Sequence, residues 1–383
     1  MRRATSAERE RLHQTFEGLC RIESPSGHER ACADWVIEEL RALGLDVQED
    51  GAGSTAGADA GNLFARIPGR SERAIMLCAH LDTVPATAPI EPELVGGAWR
   101  NANAGILGAD NKAAVAVLVE LTRRVLRAGA GAPEVGLELV FTVSEENGLH
   151  GAKAFDVGRL RSQFGYVFDH ASPIGEIVVA SPTYQRFTAD LRGRAAHAGI
   201  RPEAGRSAIA AAAQAIAALP LGRLDAETTC NVGLVRGGTA TNVVPERCRV
   251  EGEVRGLQDR RVEEVLTALI DRFQDAADSA ECDLDMTVER MFGGYRTKPS
   301  APLVLSAARA LAACGYSPRH IATGGGSDAN AFQAQGFQCA NLANGTERNH
   351  EPHERVSVDA LEGMLEVAMA LLEEYRQTEE TPA

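Results

Sequence analysis

The sequence is poor in aromatic residues and has no hydrophobic run long enough to cross a bilayer. Aromatic residues are 5% of the 383 positions and hydrophobic residues 44%, so the core must be mainly aliphatic, and the length allows two domains. No stretch approaches the roughly 18 apolar residues of a transmembrane helix. The opening residues, MRRATSAERERLHQ, lack the apolar segment of a signal peptide. We therefore predict a globular cytoplasmic protein without a membrane partner.

Basic residues are also in deficit, and the cysteines form no recognisable framework. Lys and Arg total 39 against 53 Asp and Glu, for a net charge of −14. Such a charge argues against a nucleic acid or an anionic membrane as partner, and it identifies no substrate. The eight cysteines are scattered without a C-x-x-C pair, which argues against disulfide scaffolds and zinc ribbons. We expect reduced thiols.

Strand-like and helix-like patterns alternate over most of the chain. The apolar runs 74–79, 137–143 and 166–168 predict buried strands, and a long helix with one apolar face is predicted after Asp110. Strands that alternate with helices favour an α/β fold with a sheet flanked by helices on both faces.

Two capping-box patterns near the N-terminus predict the first two helices. Thr5 is followed three residues later by Glu8, and Ser26 by Glu29. In a capping box, the two side chains satisfy free backbone N–H groups at the start of a helix. Gly44 is a natural residue to end the second helix.

The pattern changes between residues 183 and 295. Strands and helices there follow the order β-α-β-β-α-β, with a helix predicted to open at Pro202, which is typical of a ferredoxin-like sandwich. Helix–strand patterns resume after 295. We therefore predict one larger domain made of 1–182 and 296–383, with an inserted α+β domain at 183–295.

The most informative motif is CAHLDTV, residues 78–84. A buried strand there delivers His80 and Asp82 to the point where it ends, and side chains two residues apart leave a strand on the same side. This pairing suits a metal ligand with a carboxylate that orients it. The alternative is a capped strand end with a solvated Asp.

Four more motifs place acidic or imidazole side chains at strand ends or in loops. They supply Asp110 before a helix, Glu145 and Glu146 after a strand, Asp169 after another, and His350 near the C-terminus. Ligands of open α/β sheets bind at the carboxyl ends of strands. Consecutive glutamates in extended backbone would point in opposite directions. Taken singly, each motif is also compatible with a helix cap, a solvated turn or plain surface.

The charges of this set suit two divalent cations. The carboxylates of Asp110, Glu146 and Asp169, together with one hydroxide, would balance two such ions. Imidazole and carboxylate without thiolate favour zinc, cobalt or manganese. A shared carboxylate that holds two ions about 3.5–4 Å apart would make a bridging water a strong nucleophile.

Together the motifs resemble the peptidase T-like branch of the metallopeptidase family that includes carboxypeptidase G and aminoacylase. The resemblance covers nearly the whole chain in order and rests on CAHLDTV, LGADNKAAVA, SEENG, FDH, RGRAAHAGIRPE, TATNVVPE, GGGSDAN and NHEPHE. It implies an aminopeptidase-like zinc domain that carries a ferredoxin-like lid through which the protein dimerises.

The resemblance also implies a role for each motif residue. One metal ion would be held by His80, Asp110 and Asp169, and the other by Asp110, Glu146 and His350, with Asp110 as the bridge. Asp82 would stand behind His80, and Glu145 would be the general base.

His350 is preferred to His353 as the ligand because the family motif places it four residues before a glutamate, here Glu354. The neighbour of Asp169, His170, is either a packed imidazole or a substrate contact.

In the lid, the family uses a histidine at the position of His197 to stabilise the oxyanion, often across a dimer interface. Asn242 would be a second polar contact, and Arg255 would receive a substrate carboxylate. The glycine-rich turn before Ser327 could bind phosphate, but it lacks a P-loop lysine. We therefore expect Ser327 to contact a substrate carboxylate.

The function implied is hydrolysis of di- or tripeptides by an exopeptidase that uses a metal-bridging hydroxide. An N-acyl amino acid amidohydrolase or a carboxypeptidase of the same fold is the alternative. A protein that binds or scaffolds without catalysis is a third possibility, which the intact set of apparent ligands disfavours.

Overall fold

A computed structural model describes residues 3–127 and 133–377 of the chain. These residues form two compact units. One contains residues up to Val179, Arg296–Ala322 and Ser327 onwards, and the other contains Ala180–Tyr295 with Thr323–Gly326. The predicted insertion began at 183 and did not include 323–326. Within the described ranges, no helix is long and apolar enough to cross a membrane.

The described residues contain ten α-helices and eighteen strands. The helices are α1 (Ser6–Cys20), α2 (Arg30–Ala42), α3 (Ala52–Ala56), α4 (Ala109–Arg127), α5 (His150–Ala154), α6 (Ala208–Ala218), α7 (Asp259–Ser279), α8 (Pro302–Ala313), α9 (Asp328–Ala334) and α10 (Val358–Gln377). The strands are β1 (Val47–Glu49), β2 (Leu63–Ile67), β3 (Ala74–His80), β4 (Pro92–Val95), β5 (Ala98–Asn101), β6 (Gly136–Thr142), β7 (Phe164–His170), β8 (Glu176–Ser181), β9 (Thr183–Arg192), β10 (Gly222–Arg223), β11 (Thr228–Gly237), β12 (Arg247–Gly256), β13 (Asp283–Phe292), β14 (Tyr295–Arg296), β15 (Arg319–Ala322), β16 (Gln338–Ala343), β17 (Thr346–Glu347) and β18 (Arg355–Ser357).

A mixed sheet forms the centre of the first unit. Its strand order is β1-β2-β6-β3-β7-β16-β8-β14, with β15 paired to β8. The four central strands β6, β3, β7 and β16 are parallel, so their carboxyl ends meet at one edge. Strands β3 and β6 are buried along their whole length, as their largely apolar sequences predict. The predicted α/β class with flanking helices is confirmed.

The first two helices begin in different ways. At α1, Thr5 and Glu8 form the predicted capping box. At α2, the prediction is wrong because the residue before the helix is Glu29, whose side chain makes no capping bond. Gly44 has a φ of +86° just past α2, in the left-handed region that glycine accommodates without strain.

The long helix after Asp110 is present, but it is buried on all sides rather than on one. Every residue from Ala109 to Thr122 is buried, and both α1 and α10 pack against α4. A helix that is covered all round can hold a rigid position at its N-terminus, where Asp110 lies. The backbone of Asp110 and Asn111 is not helical.

The second unit is the predicted ferredoxin-like sandwich. Its sheet has the order β10-β11-β12-β9-β13, with α6 and α7 packed against it. Apart from the two-residue β10, the chain order is β-α-β-β-α-β. The helix predicted at Pro202 begins later: residues Pro202–Ala204 form a single 3-10 turn, and α6 starts at Ala208 with Ser207 as its cap.

Candidate metal centre

The carboxyl edge of the parallel strands brings together the five residues predicted as metal ligands. His80 ends β3, Asp169 lies near the end of β7, and Glu146 follows β6 by a short turn. Asp110 comes from the start of α4, and His350 from the loop between β17 and β18. Chain segments far apart in sequence therefore meet at one site.

Asp110 lies between the two imidazoles. Its Oδ1 is 3.2 Å from Nε2 of His80, and its Oδ2 is 3.4 Å from Nε2 of His350. Nε2 of His80 is also 3.6 Å from Oδ1 of Asp169, and Nε2 of His350 is 2.9 Å from Oε1 of Glu146. Each imidazole therefore faces its own carboxylate and one oxygen of the shared Asp110.

This grouping fits two metal ions. His80, Asp110 and Asp169 offer ligand atoms within 4.8 Å of one another, and so do Asp110, Glu146 and His350. These are the two sets that the resemblance implies. A third set of the same compactness joins His80 to Glu145 and Glu146. The donors are imidazole nitrogens and carboxylate oxygens, which suit zinc, cobalt or manganese.

Electrostatics at the cluster also favour bound cations. Burial, and then the charge of Asp110, raises the pKa of Asp169 well above its usual range. Hydrogen bonds to Asp110 and Glu146 raise the pKa of His350 to about 10. Carboxylates crowded this closely need positive charge beside them, and divalent cations supply it.

Glu145 is in a different environment from its neighbour Glu146. Burial, and then the charge of Asp169, raises the pKa of Glu145 well above its usual value. The sequence analysis expected an extended backbone at the two glutamates. The structure instead has a turn, in which the N–H groups of Gly148 and Leu149 donate to the carbonyl of Glu145. Glu145 is thus a buried carboxyl beside the ligand set, on a backbone fixed by this turn.

Asp82 links the end of β3 to the turn after β6. Nδ1 of His80 is 3.0 Å from the backbone carbonyl oxygen of Asp82 and 3.4 Å from its Oδ1. Oδ1 and Oδ2 of Asp82 accept the backbone N–H groups of Glu145 and Glu146 at 3.0 and 3.1 Å. Asp82 is fully buried. It therefore orients a ligand and supports the turn that carries two further site residues.

Two residues near the N-terminus belong to this support, and the sequence analysis misassigned them to a helix cap. The hydroxyl of Ser26 donates to Oδ2 of Asp82 at 2.6 Å. Oε1 of Glu29 accepts both the backbone N–H and the hydroxyl of Ser144, at 3.0 and 3.2 Å. The signal available in the sequence was the same Ser-x-x-Glu spacing, which alone does not distinguish a cap from a long-range contact.

Three further residues support the ligands, and the sequence analysis gave none of them this role. Asn349 donates to Oδ2 of Asp110 at 2.8 Å, and Asn341 exchanges two hydrogen bonds with the backbone of Asp169. The carboxylate of Glu354 accepts the backbone N–H groups of Leu107, Gly108 and Asp110 at 2.8, 2.8 and 2.9 Å. The last contact ties the His350 loop to the segment that delivers Asp110.

The two remaining histidines of these segments lie outside both ligand sets. His353 is exposed and contributes no atom to the candidate ligand groups, one of which contains His350. His170 is partly buried, and burial lowers its pKa.

The lid residues His197 and Asn242 lie in adjacent loops of the second unit. Residues His197 and Val243 form an isolated β-bridge, and the N–H of Ala198 donates to the carbonyl of Asn242 at 2.9 Å. Both side chains are exposed. Nδ1 of His197 accepts the N–H of Gly199 at 3.2 Å, which leaves the proton of the neutral ring on Nε2. The exposed nitrogen can therefore donate a hydrogen bond.

The guanidinium of Arg255 already has a carboxylate partner in the second unit. Its Nε and Nη2 donate to the two oxygens of Glu253 at 3.0 and 3.1 Å, and it stacks on the ring of Tyr184 at 4.2 Å. A substrate carboxylate would have to share or replace Glu253.

In the first unit, Ser327 is 1% exposed and forms a capping box with Asn330 at the start of α9. The contact of Ser327 with a substrate carboxylate stays a prediction. The burial of Ser327 disfavours such a contact.

Comparisons with known proteins agree with this arrangement. Residues 181–281 match the family model described as peptidase dimerisation domain, and residues 62–170 match peptidase family M28. The structure of aminopeptidase PepT from Bacillus cereus is 36% identical, with a TM-score of 0.85, and the match covers 96% of this chain and 98% of that one. The chain belongs to the peptidase T-like branch of the M20 metallopeptidases.

Two other relatives match over a similar length. A tripeptidase structure from Staphylococcus aureus is 31% identical with a TM-score of 0.90, covering 96% of this chain and 99% of that one. Protein YqjE of Bacillus subtilis is 34% identical over 366 residues, which are 95% of this chain and 98% of that protein. This member of the M20 metallopeptidases is a hydrolase that cleaves peptides in a metal-dependent reaction. The non-catalytic alternative is therefore excluded.

Proposed function

We propose that the protein is a two-metal exopeptidase that releases residues from di- and tripeptides, with zinc as the most suitable metal. The observation that carries this proposal is the pair of imidazole–carboxylate sets that share Asp110. His80 and Asp169 would complete one set, and Glu146 and His350 the other. When bound, two divalent cations supply Lewis acidity and lower the pKa of a water molecule between them.

Glu145 would then move the proton. A general base works best when its pKa is near the operating pH, and burial shifts Glu145 in that direction. Its backbone N–H is held by Asp82, so its carboxyl starts from a defined position. Glu145 would take a proton from the attacking water and deliver it to the leaving amine. Asp82 would keep His80 oriented throughout.

The lid would supply the groups that bind the rest of the substrate. We assign to His197 the donation of a hydrogen bond to the oxyanion, supported by its exposed imidazole, whose Nδ1 already accepts the N–H of Gly199. Asn242, on the adjacent loop, would add a second polar contact. Arg255 would bind the substrate carboxylate as Glu253 moves aside.

The second unit also supports a homodimer. Strand β11 pairs with β10 only at Thr229 and Cys230, so within the described residues its remaining outer edge is open. Leu234 and Val235 on β11 are 46% and 51% exposed, and Ile209 on α6 is 40% exposed. An open strand edge with exposed aliphatic side chains suits pairing with a second copy.

A reducing compartment fits the cysteines. All eight lie in the described part of the chain, and all are free thiols. Free thiols persist in the cytoplasm, so we place the enzyme there.

The test is a substrate comparison with one enzyme preparation. Protein stripped by a chelator and reloaded with zinc, cobalt or manganese is assayed on a tripeptide with a free amino terminus, on N-acetyl amino acids and on N-blocked dipeptides. We expect the free tripeptide to be cleaved at the highest kcat/KM. Preference for an N-acetyl amino acid would identify a deacylase, and preference for an N-blocked dipeptide a carboxypeptidase.

Glu145→Gln is the matched variant for this assay. Because the amide cannot accept a proton, we expect turnover to fall by about 10²–10⁴-fold while both metal ions stay bound. Metal content is measured by elemental analysis. Near-normal turnover in this variant would remove Glu145 from the mechanism.

A further inference from the structure

Ser144, the residue directly before Glu145, has a backbone conformation that serine rarely adopts. Its φ is +51°, in the left-handed region. A residue with a Cβ atom is strained in this region, whereas glycine is not. The chain therefore needs an external contact to hold this turn, and the direction in which Glu145 leaves the backbone depends on it.

Two buried carboxylates make that contact with three consecutive N–H groups. The N–H of Ser144 donates to Glu29 at 3.0 Å, and those of Glu145 and Glu146 donate to the two oxygens of Asp82. The Ser144 hydroxyl adds a second bond to the same oxygen of Glu29, at 3.2 Å. The turn is thus held from outside at every residue from 144 to 146.

Glu29 bonds through its side chain to Gly27 and to Ser144. It precedes α2 without capping it, and it is fully buried. Its Oε1 accepts the N–H of Gly27 at 2.9 Å as well as the two groups of Ser144. Its Oε2 is buried without a hydrogen-bond partner among the described residues. Burying a carboxyl with one unpaired oxygen costs free energy. The hydrogen bonds that Oε1 accepts must therefore offset this cost.

We propose that Glu29 is a positioning residue that holds Ser144 in the left-handed conformation and thereby aims Glu145 at the reacting water. The inference rests on the proposed role of Glu145. The side-chain hydrogen bonds of Glu29 go to Gly27 and Ser144 rather than to the ligand residues, so it acts through the backbone of the turn. Because Glu146 leaves the same turn, Glu29 also affects the geometry of one ligand set.

The test combines Glu29→Ala with two substitutions at Ser144. Loss of the acceptor should lower kcat by about 10–100-fold with little change in KM, because a displacement near 1 Å at a reacting group has this effect. Ser144→Gly removes the strain, so Glu29→Ala/Ser144→Gly should recover most of the lost turnover. Ser144→Ala keeps the strain and is the matched control, so Glu29→Ala/Ser144→Ala should recover none of the lost turnover.

Cobalt binding provides a readout that does not depend on turnover. In a competition titration with a chelator, Glu29→Ala should bind cobalt about tenfold more weakly through the displaced Glu146. Ser144→Gly should restore that affinity in the double variant. Equal kcat and equal cobalt affinity in Glu29→Ala and in the double variant would overturn the proposal.

Two further variants keep the result interpretable. Glu29→Gln retains a carbonyl acceptor, so it should keep turnover within a few-fold of wild type, even where Glu29→Ala fails to fold. Loss of turnover in Glu29→Gln to the level of Glu29→Ala would show that charge, and not the contact with Ser144, matters. If Glu145→Gln retains turnover, the proposed base is wrong, but the cobalt titration still tests the hold on the turn through Glu146.

Discussion

Buried carboxylates near the metal ligands differ in what they hold. Asp82 and Glu354 accept backbone N–H groups with both oxygens, whereas Asp328 accepts side-chain donors with one. The hydroxyl of Thr142 donates to Oδ2 of Asp328 at 2.5 Å, and the thiol of Cys78 is 3.8 Å from the same oxygen. Asp328 therefore links the last residue of β6 to Cys78 of β3, two residues before the ligand His80.

Asp328 should make the protein less stable as the pH rises. Burial raises its pKa from 3.8 to about 6, and its Oδ1 has no partner within the described residues. A carboxyl with a raised pKa binds its proton more tightly in the folded state. Its contribution to stability is therefore complete below pH 3.8 and is lost as the pH rises through about 6.

We predict that Asp328→Asn becomes more stable relative to wild type as the pH rises. The amide keeps an acceptor for Thr142 and never ionises, so the difference in unfolding free energy should shift by about 1 kcal/mol in its favour between pH 5 and pH 8. Urea denaturation of chelated protein at the two pH values measures it. Asp46→Asn, at an exposed position, is the control and should show no shift. A constant difference would contradict the assignment.

At the scale of elements, the site depends on loops that are held to each other as well as to strands. The loop between β17 and β18 supplies His350 and Asn349, while residues 107–110, at the start of α4, supply Asp110. Glu354 joins the loop to this segment, because its two oxygens accept three N–H groups of residues 107–110. Burial on all sides of α4 then fixes the other end of that segment.

We predict that Glu354→Gln weakens metal binding by about 10–100-fold. The amide nitrogen would face N–H donors that now meet a carboxylate oxygen, so Asp110 would shift from its position between the imidazoles. Zinc affinity is measured by competition with a chelator, which needs no turnover. Glu351→Gln, at an exposed position of the same loop, is the control. Unchanged affinity in Glu354→Gln would show that the segment holds Asp110 without Glu354.

At the scale of the molecule, the exposed sheet edges of the second unit decide how two copies would pair. Among the described residues, the sheet of the second unit has two exposed edges, one along most of β11 and one along β13. Strand β11 carries Leu234 and Val235 on a largely unpaired edge, while β13 carries Val288, which is 41% exposed. If two copies pair through β11, a charged substitution on the edge of β11 should prevent dimerisation, and one on the edge of β13 should not.

If the proposed homodimer forms through β11, we predict that Leu234→Asp/Val235→Asp is a monomer and that Val288→Asp has the same oligomeric state as wild type. Charged side chains at a strand edge prevent edge-to-edge pairing. Sedimentation velocity at several protein concentrations distinguishes the two states. Dimerisation that survives the double substitution, or that is lost in Val288→Asp, would place the interface elsewhere.

The sequence by itself determined the elements and the identity of the ligand candidates. Largely apolar runs indicate β3 and β6 because a strand buried on both faces leaves little room for polar alternation. The charged residue within β6, Glu138, is bonded to Arg66. Polar side chains that follow such runs must lie at the strand ends, which predicted His80, Asp169 and the glutamates after β6. The β-α-β-β-α-β order likewise predicted the second unit.

Tertiary structure alone decided which groups hold those residues in place. Ser26 and Glu29 have the spacing of a capping box, yet they bond to Asp82 and Ser144, which are far away in sequence. The sharing of Asp110 between two imidazoles and the contact of Glu354 with residues 107–110 also join separate segments. Such contacts depend on where strands and loops meet in three dimensions, and local spacing carries no information about that meeting.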